Sequence, residues 1–177
     1  MTAGRADALT QALSDFNGKS TAPLERFAAA YSADADLVAE LCDLAASDAG
    51  NLQAGATWLL KRFGIKGAQL SAGQSETLLR VLLRDSGWLP HLHVLQMMDT
   101  LFVPAALASP LMGALEAQAA GANTFIRAWS VHGAAALADQ HPAYRDLALD
   151  LLTAADQDDA ASVRARIRRT RKAYAWL

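Results

Sequence analysis

Cysteine is nearly absent from this chain of 177 residues, Cys42 being the only one. A single thiol excludes an intramolecular disulfide and any zinc site built from several thiolates, and it suits a reducing compartment. Long apolar runs are missing too. No stretch approaches the roughly 18 consecutive apolar residues of a membrane span, and the opening MTAGRADALTQALSDF lacks the uninterrupted apolar segment of a secretory signal. The expectation is a soluble cytoplasmic protein that touches no membrane. β-Branched residues are sparse and alternating runs do not occur, which removes the signal for strands. Familiar catalytic signatures are lacking as well: no Gly-x-Ser-x-Gly elbow, no phosphate loop ending in Gly-Lys-Ser/Thr, no paired dinucleotide glycines after a strand. Gly64-x-x-Gly67 reads as a helix–helix turn, and nothing calls for a cofactor.

What is present favours burial. Hydrophobic residues make up 53% of the chain and charged residues 19%, so one domain with a substantial core is expected over residues 1–177. Ala and Leu, good helix formers, dominate, and the chain reads as all-α. Leu41, Leu78, Leu115 and Leu152 recur every 37 residues, and Leu52, Leu89, Ile126 and Val163 repeat the same step. An apolar residue at both registers in four successive units is the pattern of stacked helical pairs, in which neither helix can bury its apolar face alone.

Helix signals place the pairs. A segment from about Arg5 to Phe16 ends at Asn17-Gly18, and Pro23 opens a second through Leu24, Phe27, Ala28 and Tyr31. The repeat does not extend back here, so residues 1–31 are expected to form an N-terminal cap, with repeats over 32–177. The first pair is expected at about Asp34–Ser47 and Asn51–Phe63. In the second, Ser71 or Ser75 caps a helix to Arg84, and a partner from Pro90 carries Leu92, Leu95, Met98 and Phe102 before Pro104 closes it. The third pair uses Ser109-Pro110 as cap and first-turn proline, then Asn123 caps a helix through Ile126, Trp129, Gly133 and Leu137. In the fourth, Pro142 leads a helix with Leu147, Leu151 and Leu152, and Asp156, Asp158 and Asp159 precede a last helix with Val163, Ile167, Thr170 and Tyr174.

On these residues the repeats resemble HEAT-type repeats, an α-solenoid family whose second helix carries a Val-Arg pair followed by small and large apolar positions. Leu151-Leu152, Asp158 and Val163-Arg164 match, as does the run from Ile126-Arg127 to Leu137. The first pair, with Gln53 beside Leu52, fits by periodicity alone, and the second, with His93 and Gln96 at small or apolar positions, fits least. The resemblance covers roughly residues 32–175. It implies an α-solenoid of about four helical pairs, and it implies that an acidic turn residue and an arginine pair between repeats, which would give Asp158, Arg127 and Arg164 a structural task. It supports a fold and not an activity.

Charge is uneven. Residues 1–163 hold ten basic and eighteen acidic groups, a balance of −8, while Arg164, Arg166, Arg168, Arg169, Arg171 and Lys172 put +6 into nine residues. On a helix Val163, Ile167, Thr170 and Tyr174 form one inward stripe, with Arg164, Arg168, Arg171 and Lys172 on a neighbouring exposed sector. Those guanidinium groups suit an acidic protein surface or phosphates, and otherwise make a solvated end-cap that balances the acidic body. Tyr174 and Trp176 offer stacking faces or cover the last apolar surface. Trp58 and Trp129 read as packing between repeats, whereas Trp88, beside Gly87 and Pro90, reads as a candidate partner anchor. His91 and His93 are two apart and point roughly 200° from each other on a helix, so they do not chelate together. His132 and His141 lack a second ligand three or four residues away, so no metal is expected.

The leading expectation is a non-catalytic protein-binding or scaffolding module in which second helices line a concave face. Its candidate binding residues are Arg127, Arg164, Arg168, Arg171, Lys172 and Trp88, its partner is another protein, and its oligomeric state stays open. The alternative is a nucleic-acid binder or a DNA glycosylase of the HEAT-like class, for which Asp99, Trp129 and Arg127 are the candidates beside the basic helix.

Overall fold

The computed structural model describes residues 3–64 and 69–177, and among these there are ten α-helices and no strand. Ile65, Lys66 and Gly67 of the expected turn lie outside the described residues. The chain divides into two compact units, Met1–Thr100 and Leu101–Leu177.

The N-terminal unit is organised around α4 (Gly50–Gly64), which packs against α1 (Ala3–Asp15), α2 (Ala22–Ala30), α3 (Ala35–Ala46) and α6 (Trp88–Leu95). Every residue from Gln53 to Leu60 is buried. A helix surrounded in this way needs small residues where neighbours cross it. Gly55 supplies one: a Cβ there would lie 2.6 Å from Leu13 Cδ2, so α1 approaches the bare backbone. Asp34 starts α3 by accepting the Leu37 N–H at 2.9 Å, and its carboxylate also pairs with Arg5 on α1. Ser71 and Gln74 form a reciprocal capping box at α5 (Ala72–Leu79), which tightens into a 3-10 turn over Arg80–Leu83. Gly87, at φ +73°, takes the left-handed conformation that turns the chain into α6.

The C-terminal unit repeats this plan around α8 (Thr124–Gln140), which packs against α7 (Ala105–Ala119), α9 (Arg145–Ala155) and α10 (Ala161–Ala173). Asn123 caps α8 by accepting from the Phe125 and Ile126 N–H groups. Residues 130–138 are buried without a break, and alanine at 134, 135, 136 and 138 lets three helices close on one axis. A core of Ala128, Val131, Leu152, Val163 and Ile167 joins α8, α9 and α10, with Leu177 packed against it. Gln140 binds the start of α7 to the end of α8, donating to the Leu101 carbonyl and accepting the Val103 N–H, each at 2.9 Å.

Three sequence expectations need correction. Ser109-Pro110 does not open α7, which starts at Ala105 with Pro104 as its N-cap, so Pro110 lies inside the helix. The ring removes one backbone donor there, and the helix continues because Leu107, Ala108, Leu111 and Met112 are buried on either side of it. Pro104 therefore begins α7 instead of closing α6. The helix before it ends at Leu95 and gives way to a 3-10 turn at Met98–Thr100, which leaves Phe102 exposed rather than inward. The two 37-residue registers also differ. Leu41, Leu78, Leu115 and Leu152 are all 0% exposed, whereas Leu52 is 36% exposed, Leu89 half-buried, and Ile126 and Val163 buried. Members of the second set all sit in the first turn of a helix, where cover depends on whichever segment overlies that end.

Candidate functional site

The basic helix α10 turns much of its charge onto its own unit. Val163, Ile167 and Thr170 are buried as the apolar stripe requires. Arg164 donates to the backbone carbonyls of Asp158 and Asp159, and Arg171 pairs with Asp156 at 2.8 Å. Arg166 lays its guanidinium over the Trp129 ring at 3.6 Å, within cation–π range. Trp129 in turn meets His132 edge-on at 5.2 Å, and Tyr174 and Trp176 extend the ring cluster, with Arg145 over Trp176. Arg168, Arg169 and Lys172 are exposed.

Arg127, a candidate binding residue of the sequence reading, is bidentate to Asp158: Nε donates to Oδ2 at 2.9 Å and Nη2 to Oδ1 at 3.0 Å. Its Nη1 donates to the carbonyls of Gly121 and Ala122. The Arg127 guanidinium holds the Asp158 carboxyl below the usual carboxylate range, helped by the Ala160 N–H that donates to it. Arg127 thus staples α8 to the turn before α10. Trp88, 50% exposed at the start of α6, and Asp99, exposed in its 3-10 turn, belong to the other unit.

Burial disfavours the charged forms of Cys42 and His93. Cys42 is buried, and its thiol is pushed up to about 11 by desolvation and then by Asp43. His93 is driven down to about 3, first by burial and then by the Lys61 charge, and Nδ1 lies 3.0 Å from the Thr57 hydroxyl. His132 on α8 stands in the same relation to Thr170 on α10, also at 3.0 Å. Among the described residues no group of three or more His, Cys, Asp or Glu side chains is placed to hold a metal ion, and no helix is long and apolar enough to cross a membrane.

A surface feature escaped the sequence reading. Helices α7 and α9 both pack on α8 but scarcely on each other, and two adjoining hollows of about 260 and 250 Å³ lie along the seam, sharing Glu116, Leu151 and Ala154. Met112 and Ala119 on α7 face Leu147 and Leu151 on α9, with Val131 of α8 beneath. Leu147 is 46% exposed, and Leu149, which lines neither of these two hollows, is exposed as well. Four leucines among residues 147–152 were the available signal: Ala148 and Leu152 are buried and Leu151 is half-buried against the same core, which leaves Leu147 on the open edge of the stripe. A further hollow of about 270 Å³ between α1 and α2 has Asp15 and Arg26 on its rim, which leaves it without a net charge.

Comparison with known proteins yields no relative: no protein-family model, no curated protein and no solved structure matches the chain.

Proposed function

We propose that the chain is a non-catalytic protein-binding module, a short α-solenoid of HEAT-like helical pairs that works in the cytoplasm. The common, complete burial of Leu41, Leu78, Leu115 and Leu152 at 37-residue steps supports the repeat reading, as does the Arg127–Asp158 pair at the acidic turn. One observation carries the choice of a protein partner over nucleic acid. Arg164, Arg166 and Arg171 of α10 are engaged within their own unit, which halves the cations the helix presents, leaving Arg168, Arg169 and Lys172, while apolar side chains on α9 stay open to water beside acidic ones. Phosphate binding needs cations free to replace counterions, and protein interfaces need apolar surface at their centre.

The test uses the full chain. A polypeptide that copurifies with it is identified, purified and rebound in a calorimeter, and labelled single- and double-stranded oligonucleotides are titrated at low salt. The expected result is stoichiometric rebinding of the polypeptide with no oligonucleotide retention. Retention that fades with salt and disappears in Arg168→Glu/Lys172→Glu, with no polypeptide rebinding, would overturn the proposal in favour of nucleic acid.

A further inference from the structure

Resting on the protein-binding reading, we infer that the channel between α7 and α9 receives an amphipathic helix with basic flanks, contributed by a partner protein. The walls define the shape. On α7, Met112, Glu116 and Ala119 follow one another at steps of four and three, and on α9 Leu147, Asp150, Leu151 and Ala154 do the same, so each wall is a helical stripe. From Met112 to Ala119 the stripe rises by seven steps, or about 10 Å at roughly 1.5 Å each, which matches two turns of an incoming helix.

Backbone solvation and charge select the occupant. No sheet edge borders the channel, and its walls are side chains of two helices, so an extended peptide laid there would lose water from N–H and C=O groups with nothing to replace it. A helix satisfies its own backbone and needs only an apolar stripe at i, i+3 or i+4, and i+7. Charge then sets the flanks. Glu116 stands on one wall and Asp150 on the other, both exposed, while the only other charged side chains lining the hollows, Arg127 and Asp158, neutralise each other. The channel is therefore apolar at its floor and negative on both rims, which matches lysine or arginine on either side of the stripe and repels acidic helices and phosphates. The basic helix α10 of a second copy does not qualify, because its own apolar stripe is buried.

The probe is a fluorescent peptide of roughly 16 residues, long enough for helix, with leucines at i, i+3, i+4 and i+7 and lysines elsewhere, set against the same leucines with glutamates. Fluorescence anisotropy on the full chain should favour the lysine peptide by about tenfold or more. Leu147→Asp, at a half-open surface position, should abolish binding with unchanged circular dichroism. Glu116→Lys/Asp150→Lys should invert the preference, and that gain of glutamate-peptide binding is out of reach of a damaged fold. Equal binding of both peptides, binding indifferent to Leu147→Asp, or self-association of the chain that Leu147→Asp abolishes would each overturn the inference. If the copurified polypeptide binds Leu147→Asp as well as it binds the parent protein, the channel assignment fails while the protein-binding reading stands. Nucleic-acid retention without polypeptide binding fails that reading itself.

Discussion

Acid should weaken this protein through one buried imidazole. His93 is 4% exposed between α4 and α6, with Nδ1 on the Thr57 hydroxyl and the Lys61 ammonium nearby, so its folded-state value falls from 6.5 to about 3. The sign follows from proton counting. Between the unfolded value near 6.5 and the folded value the unfolded chain holds one more proton, so stability is complete above about pH 6.5 and falls as the pH drops toward 3. Each pH unit in that window is worth about 1.4 kcal/mol, and acidification to about pH 4.5 should cost about 3 kcal/mol from this group alone, a large share of a typical 5–15 kcal/mol. Urea unfolding of the parent protein and of His93→Gln, at about pH 7, 5.5 and 4.5, isolates the effect because every other titrating group is common to both. At neutral pH the variant should be weaker by about 1–3 kcal/mol for the lost packing and hydrogen bond, and the gap should close or reverse at the acid end. Two parallel stability profiles, or a His93 ring resonance that titrates near its ordinary value, would refute the reasoning.

Further outcomes follow from packing and charge. Gly55→Val should destabilise by about 1–3 kcal/mol in urea unfolding, because α1 offers no room for the added atoms beside Leu13. A thiol reagent should leave Cys42 untouched in the native state at neutral pH, where on the order of one molecule in 10⁴ carries the thiolate, and should label it at once in denaturant. Asp158→Asn should lower Tm at neutral pH and flatten the acid limb of the stability curve, since a carboxyl held below its ordinary value contributes above the unfolded range near 3.8 and stops contributing as the pH falls through its folded value. Thermal melts over about pH 2–7 check this, and an unchanged acid limb would show the Arg127 contact to be inconsequential.

Much of the helical layout was legible because caps and breakers are local. Asp34, Ser71 and Asn123 each accept hydrogen bonds from N–H groups two or three residues ahead, and Pro23 stands in the first turn of α2. Neighbouring residues decide such contacts, so the sequence order alone reveals them. Pro110 misled for the opposite reason: its place inside α7 is sustained by buried leucines packing against α8, a tertiary compensation that overrides the local rule. At α10 the inward stripe was legible from spacing and a structural task for Arg164 followed from the resemblance, but the engagement of Arg166 with Trp129 and of Arg171 with Asp156 was not legible, because those partners approach through the fold. The channel between α7 and α9 stayed hidden for a related reason. A leucine that faces water and one that faces a neighbour look alike in a sequence, and only the excess of leucine around α9 distinguishes them.

The histidine–threonine pairs have a consequence for how such a molecule keeps its helices indexed. Surfaces of leucine and alanine are smooth, and one helix could ratchet a residue along another with little change in dry contact. At Thr57–His93 and Thr170–His132 that slip would take a ring nitrogen away from its hydroxyl partner in an unsolvated interior, at a penalty of about 1–3 kcal/mol, while each hydroxyl would keep its bond to the backbone of its own helix. One polar latch in each unit thus acts as a detent, admitting a single rotational setting where greasy packing by itself would tolerate several.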